Sequence, residues 1–319
     1  MKISNDSGKE WYEEWHYRYK HQMSNEYVTL NKVQTHLITW DNPNNCNGQD
    51  VIICITGNPG ITDLYTEFGS EVNKNIGLPV CIIGQAGHEE VPDESSNILK
   101  GQEHLFDLEG QIQHKIELIT NYVDKRSRLH LIGHSIGAWL ILELLRDNEK
   151  LIGRVSSVNL LFPTLQHIAE TKNGKLLNKV IRNLHAFFMF LFYLVNLLPV
   201  SVLNFLVELY LKVQSLPLHS SKCIFKFLRP TVGEKVLFLA YNEMDTVKQL
   251  NIEVLEKIKH LSSVIYSSKD NWAPISFMKD LQAFQPQLQL KKVDIDHAFV
   301  LKSSIRVAEM VSSFIKTKM

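Results

Sequence analysis

The sequence has no apolar stretch long enough to cross a bilayer as one helix, which takes ~20 residues. Residues 1–20 are polar and charged and hold no apolar signal core. No secretory signal is therefore expected, and the reducing, cytosolic side of the cell is the expected setting. Cysteine is scarce: Cys46, Cys54, Cys81 and Cys223 are the full set, and no pair has metal-ligand or redox spacing. Cys54 and Cys81 lie inside apolar runs and read as small buried hydrophobes. An excess of either charge is also missing, with Lys plus Arg and Asp plus Glu at 34 each. That balance removes the basic footprint of a nucleic-acid binder. Repeats and low-complexity tracts are absent, and no metal, nucleotide or flavin motif is present, so no cofactor is expected.

What is there suits a globular enzyme: 319 residues, 45% apolar and 21% charged. Residues 1–25 read as an N-terminal arm whose aromatic-rich run 11–20 either docks on the domain or serves an interface. Two antiparallel strands are expected within 26–40. A regular alternation follows. The continuous apolar run at 51–56 reads as a buried strand, 79–84, 128–132 and 155–162 as further strands, and 62–75, 108–123 and 136–146 as helices. Short apolar strands alternating with amphipathic helices imply a mostly parallel sheet covered on both faces. No such alternation can be read over 165–250. It resumes with strands at 261–267 and 288–293 and helices at 275–284 and 305–316. The expected organisation is one core, 26–164 and 251–319, with a helical cap inserted at 165–250.

Gly133-His134-Ser135-Ile136-Gly137 fits G-x-S-x-G, follows the strand at 128–132 and opens a helix. Such a strand-turn-helix raises the serine into a strained position, the nucleophile elbow of an α/β-hydrolase fold. The helix start aims amides and a positive dipole end at a developing oxyanion. A serine hydroxyl needs a base, and the base an orienting carboxylate. Of the downstream histidines, His167, His185 and His219 fall in the insertion, and His260 ends a helix before a strand. His297 follows a core strand and precedes the last helix, so it is the expected base. The acid belongs in the loop after the preceding strand, which selects Asp270. Asp296, Asp294 and the more distant Asp245 are the alternatives. The oxyanion donors are expected at the amides of Ile136 and Asn58, the latter in Thr56-Gly57-Asn58-Pro59-Gly60, where Pro59 has no N–H.

Gly57-Asn58-Pro59-Gly60, Gln85-Ala86-Gly87-His88, Leu108-Glu109-Gly110-Gln111-Ile112, Gly133-His134-Ser135-Ile136-Gly137, Leu161-Phe162-Pro163-Thr164 and Asp296-His297-Ala298-Phe299 occur in this order. Together they resemble the lipid-droplet-associated hydrolases, from about residue 26 onward. The resemblance implies a lipid ester hydrolase, with cholesteryl esters as proposed substrates, acting at lipid droplets and the endoplasmic reticulum. Two positions depart from the family pattern. Gln85 stands where the family tends to have His, and Asn271 stands where its acid loop tends to have Pro.

The insertion carries a hairpin signal at 184–213. Residues 186–198 hold Asn196 as their one fully polar residue and end at Pro199. The next helix, 200–213, confines Ser201, Asn204, Glu208 and Lys212 to one narrow face. Two apolar helices hinged at a proline suit insertion into the single phospholipid layer of a droplet. The competing reading is a lid closing over a lipid-sized pocket. Phe187, Phe188, Phe190 and Phe192 are the expected substrate or lid contacts. A lipid ester and a droplet or endoplasmic-reticulum surface are the implied partners, with no obligate protein partner. A droplet-coating scaffold with the same fold and little turnover is the alternative function.

Overall fold

A computed structural model describes residues 23–319. The aromatic run at 11–20 lies outside the described residues. The expected arm extends to residue 25, but Met23 already begins a strand. The elements are β1 (Met23–Leu30), β2 (Val33–Trp40), β3 (Val51–Ile55), α1 (Thr66–Ile76), β4 (Val80–Ile83), α2 (Leu108–Asn121), β5 (Leu129–His134), α3 (Ile136–Leu145) and β6 (Val155–Leu161). A helical region follows, with α4 (His185–Asn196), α5 (Val200–Val213), α6 (Ser221–Leu228) and α7 (Pro230–Thr246). The chain then returns to the core with α8 (Ile252–Ile258), β7 (Ser262–Ser267), β8 (Gln289–Val293) and α9 (Ser304–Lys316).

The eight strands form one sheet in the order β1-β2-β4-β3-β5-β6-β7-β8. β2 runs antiparallel to both neighbours, and every pairing from β4 to β8 is parallel. Side chains alternate faces along a strand, and the core divides accordingly. Val51, Ile53 and Ile55 of β3 join Leu129 and Leu131 of β5 under α2, α3 and α8. Ile52, Cys54 and Ile132 point the other way, against Phe68 and Val72 of α1 and Val307 and Val311 of α9. Because both faces are buried, β3 reads as an unbroken apolar run and β5 as a mostly apolar one.

Local signals fix the helix ends. Asp107 caps α2 by accepting the Gly110 amide, and Asn251 caps α8 by accepting that of Val254. Gly77 closes α1 in the left-handed conformation at φ 75°. Pro230 occupies the first turn of α7, where its missing N–H costs nothing. Pro199 separates α4 from α5, and the two meet at 118°. Among the described residues no single helix is long and apolar enough to cross a membrane.

The inserted helices are tied to the core by polar contacts. Lys226 of α6 pairs with Asp63 and with Glu89, the latter at 2.7 Å, and Arg229 pairs with Glu90 at 2.6 Å. Asn242 of α7 accepts the Leu108 amide at the start of α2, at 2.9 Å.

Candidate active site

Ser135 sits between β5 and α3 at φ 53° and ψ −120°, a conformation L-residues rarely adopt. Such strain costs on the order of 1–3 kcal/mol and persists only where the surroundings over-determine it. Here the glycines do so. A Cβ on Gly137 would fall 2.4 Å from the Ile55 carbonyl oxygen, and one on Gly133 2.6 Å from that of Gly137. The Ser135 amide donates to the Leu161 carbonyl at 3.0 Å and its own carbonyl accepts from Ala138, which holds the turn from both sides.

Three loops at the carboxyl ends of the parallel strands meet over this turn. His297, beyond β8, brings Nε2 to 2.9 Å from Ser135 Oγ. Its Nδ1 lies 2.6 Å from Oδ2 of Asp270, beyond β7. Asp270 Oδ1 accepts the amides of Trp272 and Ala273 at 2.7 and 2.9 Å. Burial pushes the Asp270 carboxyl up, but the His297 hydrogen bond and charge with those two amides outweigh it and hold it below the ordinary value. The other carboxylates are engaged elsewhere. Asp294 pairs with Lys269 on the surface, Asp245 with Arg182, and Asp296 is exposed.

The loop after β3 approaches the same turn, since a Cβ on Gly57 would lie 3.1 Å from that of Ser135. Among the described residues no acceptor takes the Asn58 amide. Ile136 is the first residue of α3, where an amide has no partner within the helix. Gly57 donates to the Tyr65 hydroxyl at 2.8 Å, and that hydroxyl meets His134 Nδ1 at 2.6 Å. His134 Nε2 reaches the His297 carbonyl at 2.9 Å. The end groups fix every direction. A carbonyl only accepts, so the His134 proton is on Nε2. Its bare Nδ1 takes the Tyr65 proton, and the Tyr65 oxygen takes the Gly57 N–H. Burial, then proximity to His297, lowers His134 to about 3, so the ring stays neutral.

The loop after β4 buttresses this arrangement from below. His88 Nδ1 accepts the Gly60 amide at 3.0 Å, and burial holds it neutral at about 3. Gln85 donates to the Thr56 carbonyl at 2.6 Å and accepts from the wholly buried Lys115 at 2.7 Å. Neither His88 nor Gln85 touches Ser135. Tyr65, Gln85 and Lys115 carry no local sequence signal for these roles, because each acts on a loop brought to it by the sheet.

The four phenylalanines separate. Phe192 is buried, edge-on to Phe227 and against Gly233 of α7. Phe188 is half-buried, whereas Phe187 and Phe190 face solvent. With Tyr193, Leu194, Leu197, Val200, Phe205 and Leu206 these two leave the α4–α5 bend apolar and exposed.

A strained serine at a strand-to-helix turn, on a mostly parallel eight-stranded sheet with an inserted helical region, defines an α/β-hydrolase. Solved structures agree on the fold. The thioesterase domain from the curacin biosynthetic pathway superposes with a TM-score of 0.60 at 13% identity, covering 91% of this chain and 99% of its own. A meta-cleavage product hydrolase from Pseudomonas fluorescens gives 0.61 at 14%, covering 94% and 100%. The sequence model of the lipid-droplet associated hydrolase family matches residues 48–300, and the chain belongs to that family. The lipid droplet-associated hydrolase of Drosophila melanogaster is 40% identical over 303 residues, 92% of this chain and 98% of the fly protein. That of Homo sapiens is 26% identical over 282 residues, 83% and 84% of the two chains.

Proposed function

We propose that the protein is a serine hydrolase of bulky lipid esters that works at the lipid-droplet surface. The observation that carries this reading is the continuous line from Ser135 Oγ through both His297 nitrogens to a buried Asp270. In the proposed reaction Ser135 Oγ attacks the ester carbonyl carbon while His297 Nε2 takes its proton. The oxyanion is held by the amides of Asn58 and Ile136. His297 then returns the proton to the departing alcohol, leaving an acyl-serine that water cleaves by the same steps in reverse order. Asp270 fixes the His297 tautomer and stabilises the imidazolium. Loss of one oxyanion donor is expected to lower turnover by ~100–1,000-fold.

Sterol esters are the substrates we favour, from the family resemblance, with other bulky hydrophobic esters next, and a role in cholesterol and neutral-lipid homeostasis follows. The names of the fly and human relatives support a droplet location. We extend this to the cytosolic face of the endoplasmic reticulum. The exposed apolar bend between α4 and α5 supports contact with a lipid monolayer. Two comparisons test the reading. A fluorophosphonate probe is expected to label wild type and not Ser135→Ala, with turnover falling on the order of 10⁴-fold or more. Lipid profiles of droplets carrying wild type or Ser135→Ala are expected to differ in sterol esters. Labelling that persists in Ser135→Ala would refute the nucleophile.

A further inference from the structure

We propose that Glu243, on the inserted helix α7, is a positioning residue that holds the Asn58 loop in the geometry needed to receive the oxyanion. This rests on the reading of Ser135 as nucleophile and of the Asn58 amide as an oxyanion donor. Glu243 is 5% exposed, yet among the described residues it forms no ion pair. A buried carboxylate without a cation is costly, and here one side-chain partner accounts for it. Oε1 accepts a hydrogen bond from Asn58 Nδ2 at 2.8 Å. The same Nδ2 donates to the Val236 carbonyl, also on α7, at 3.2 Å. Both anchors of the Asn58 side chain thus come from a helix 178 and 185 positions away in the chain. Among the described residues Asn58 Oδ1 is buried with no partner, so the side chain's polar attachment there runs through Nδ2. Burial raises the Glu243 carboxyl to about 7, opposed by the Asn58 bond. That level is what burial of an acid without a cation should produce.

The backbone amide and the tethered side chain belong to one residue. A side chain fixed at 2.8 Å limits the rotation of its own peptide group, which is where orientation of the oxyanion donor is decided. The tether also gives α7 two ends. One packs Gly233 against Phe192 of α4, with Phe192 ring atoms 2.8 Å from a Cβ built there, and the other holds Asn58. A single helix therefore joins the exposed apolar bend to the oxyanion loop.

The test uses the full-length protein and p-nitrophenyl butyrate, a soluble ester that needs no lipid surface. Glu243→Leu and Asn58→Ala, which keeps the backbone amide, are each expected to lower kcat on the order of 10–100-fold, as small misplacements do. KM should move little, because the loss falls on the transition state. Glu243→Gln retains an acceptor and is expected to recover most of the loss. The double variant should be no worse than the weaker single one. Wild-type kcat in a folded Glu243→Leu, or losses that multiply in the double variant, would overturn the proposal. Should Glu243→Leu fail to fold, Asn58→Ala carries the same test from the core side. Ser135→Ala separates the two readings. Turnover surviving that change removes the nucleophile and this inference with it. An inactive Ser135→Ala beside an unaffected Glu243→Leu removes the inference alone.

Discussion

Ser135 is held by backbone on one side and by a chain of polar side chains on the other. The backbone part is steric, since Gly133 and Gly137 leave no room for a Cβ. The polar part runs from Gly57 through Tyr65 and His134 to the His297 carbonyl, and each group in it has one direction open to it. It connects the loop expected to hold the oxyanion with the loop expected to hold the base, so both should respond to a single atom. Tyr65→Phe removes that atom. It leaves the Gly57 amide and His134 Nδ1 buried without a partner, at about 1–3 kcal/mol for each. We expect urea unfolding of Tyr65→Phe to show a loss of about 2–6 kcal/mol for the two groups together. Turnover of a soluble ester should fall about ten-fold, as misplacement of reacting groups predicts. Unchanged stability would show that water or a shifted ring replaces the hydroxyl. The sequence marks Ser135, Asp270 and His297 because each sits at a strand end in chain order, and the structure brings those three together. Tyr65 is invisible there. It is one aromatic in a helical stretch, and its value comes from β3 and β5 lying side by side.

At the scale of elements, the parallel sheet is legible because strands buried on both faces are mostly apolar. β3 is apolar at every position, while β5 and β6 carry buried His130, Ser156, Ser157 and Asn159 among their apolar residues. Of the inserted helices, α4 and α5 are legible as an apolar hairpin, whereas α6 and α7 are legible only as a gap in the alternation. α6 and α7 mix polar and apolar residues, and their polar ones are spent on distant loops of the core. Lys226 illustrates this, reaching Asp63 and Glu89 across 163 and 137 positions. The Lys226–Glu89 pair should set how firmly the inserted helices sit. Burial pushes the Glu89 carboxyl up, but the nearby His36 ring and the Lys226 charge overcome this and bring it from 4.5 down to about 2. A depressed acid adds stability that is complete above its unfolded value and disappears as pH falls through the folded one. The window is therefore from about 4.5 down to about 2, and at ~1.4 kcal/mol per unit the contribution is about 3 kcal/mol. Acid unfolding of wild type and Glu89→Gln should diverge above that window and converge below it. Lys226→Met, which leaves the buried Glu89 carboxylate without its cation, should cost about 3–5 kcal/mol near neutrality. Parallel acid-unfolding curves for wild type and Glu89→Gln would show that the pair adds nothing.

At the scale of the whole molecule, one end of the described residues is apolar and exposed. Leu197 is 81% exposed, Val200 74% and Phe205 64%, all at or near the α4–α5 bend, while Phe192, Val207 and Leu211 of the same two helices are buried. Each helix therefore divides its apolar residues between the protein and the outside. Sequence hydrophobicity alone could not separate the two sets, which is why Phe187, Phe190 and Phe192 looked alike. Soluble monomers rarely expose contiguous apolar surface on this scale, and such patches mark contact with membranes or partners. Neither helix alone is long and apolar enough to span a bilayer, and entering one leaflet needs only the outer faces of the two. Full burial of one such side chain is worth about 1.5–3 kcal/mol, roughly ten- to a hundred-fold in partition. Leu197→Asp with Phe205→Asp should therefore lower binding to phospholipid-coated oil droplets by on the order of a hundred-fold or more, measured by flotation of the purified protein. Removing residues 184–213 should release the protein from droplets in cells. Phe192→Ala should act differently. It opens a cavity beside Gly233 and lowers stability by about 3–5 kcal/mol before it weakens droplet binding. Flotation that survives the double aspartate variant would mean that the bend closes over the site and that another surface meets the lipid.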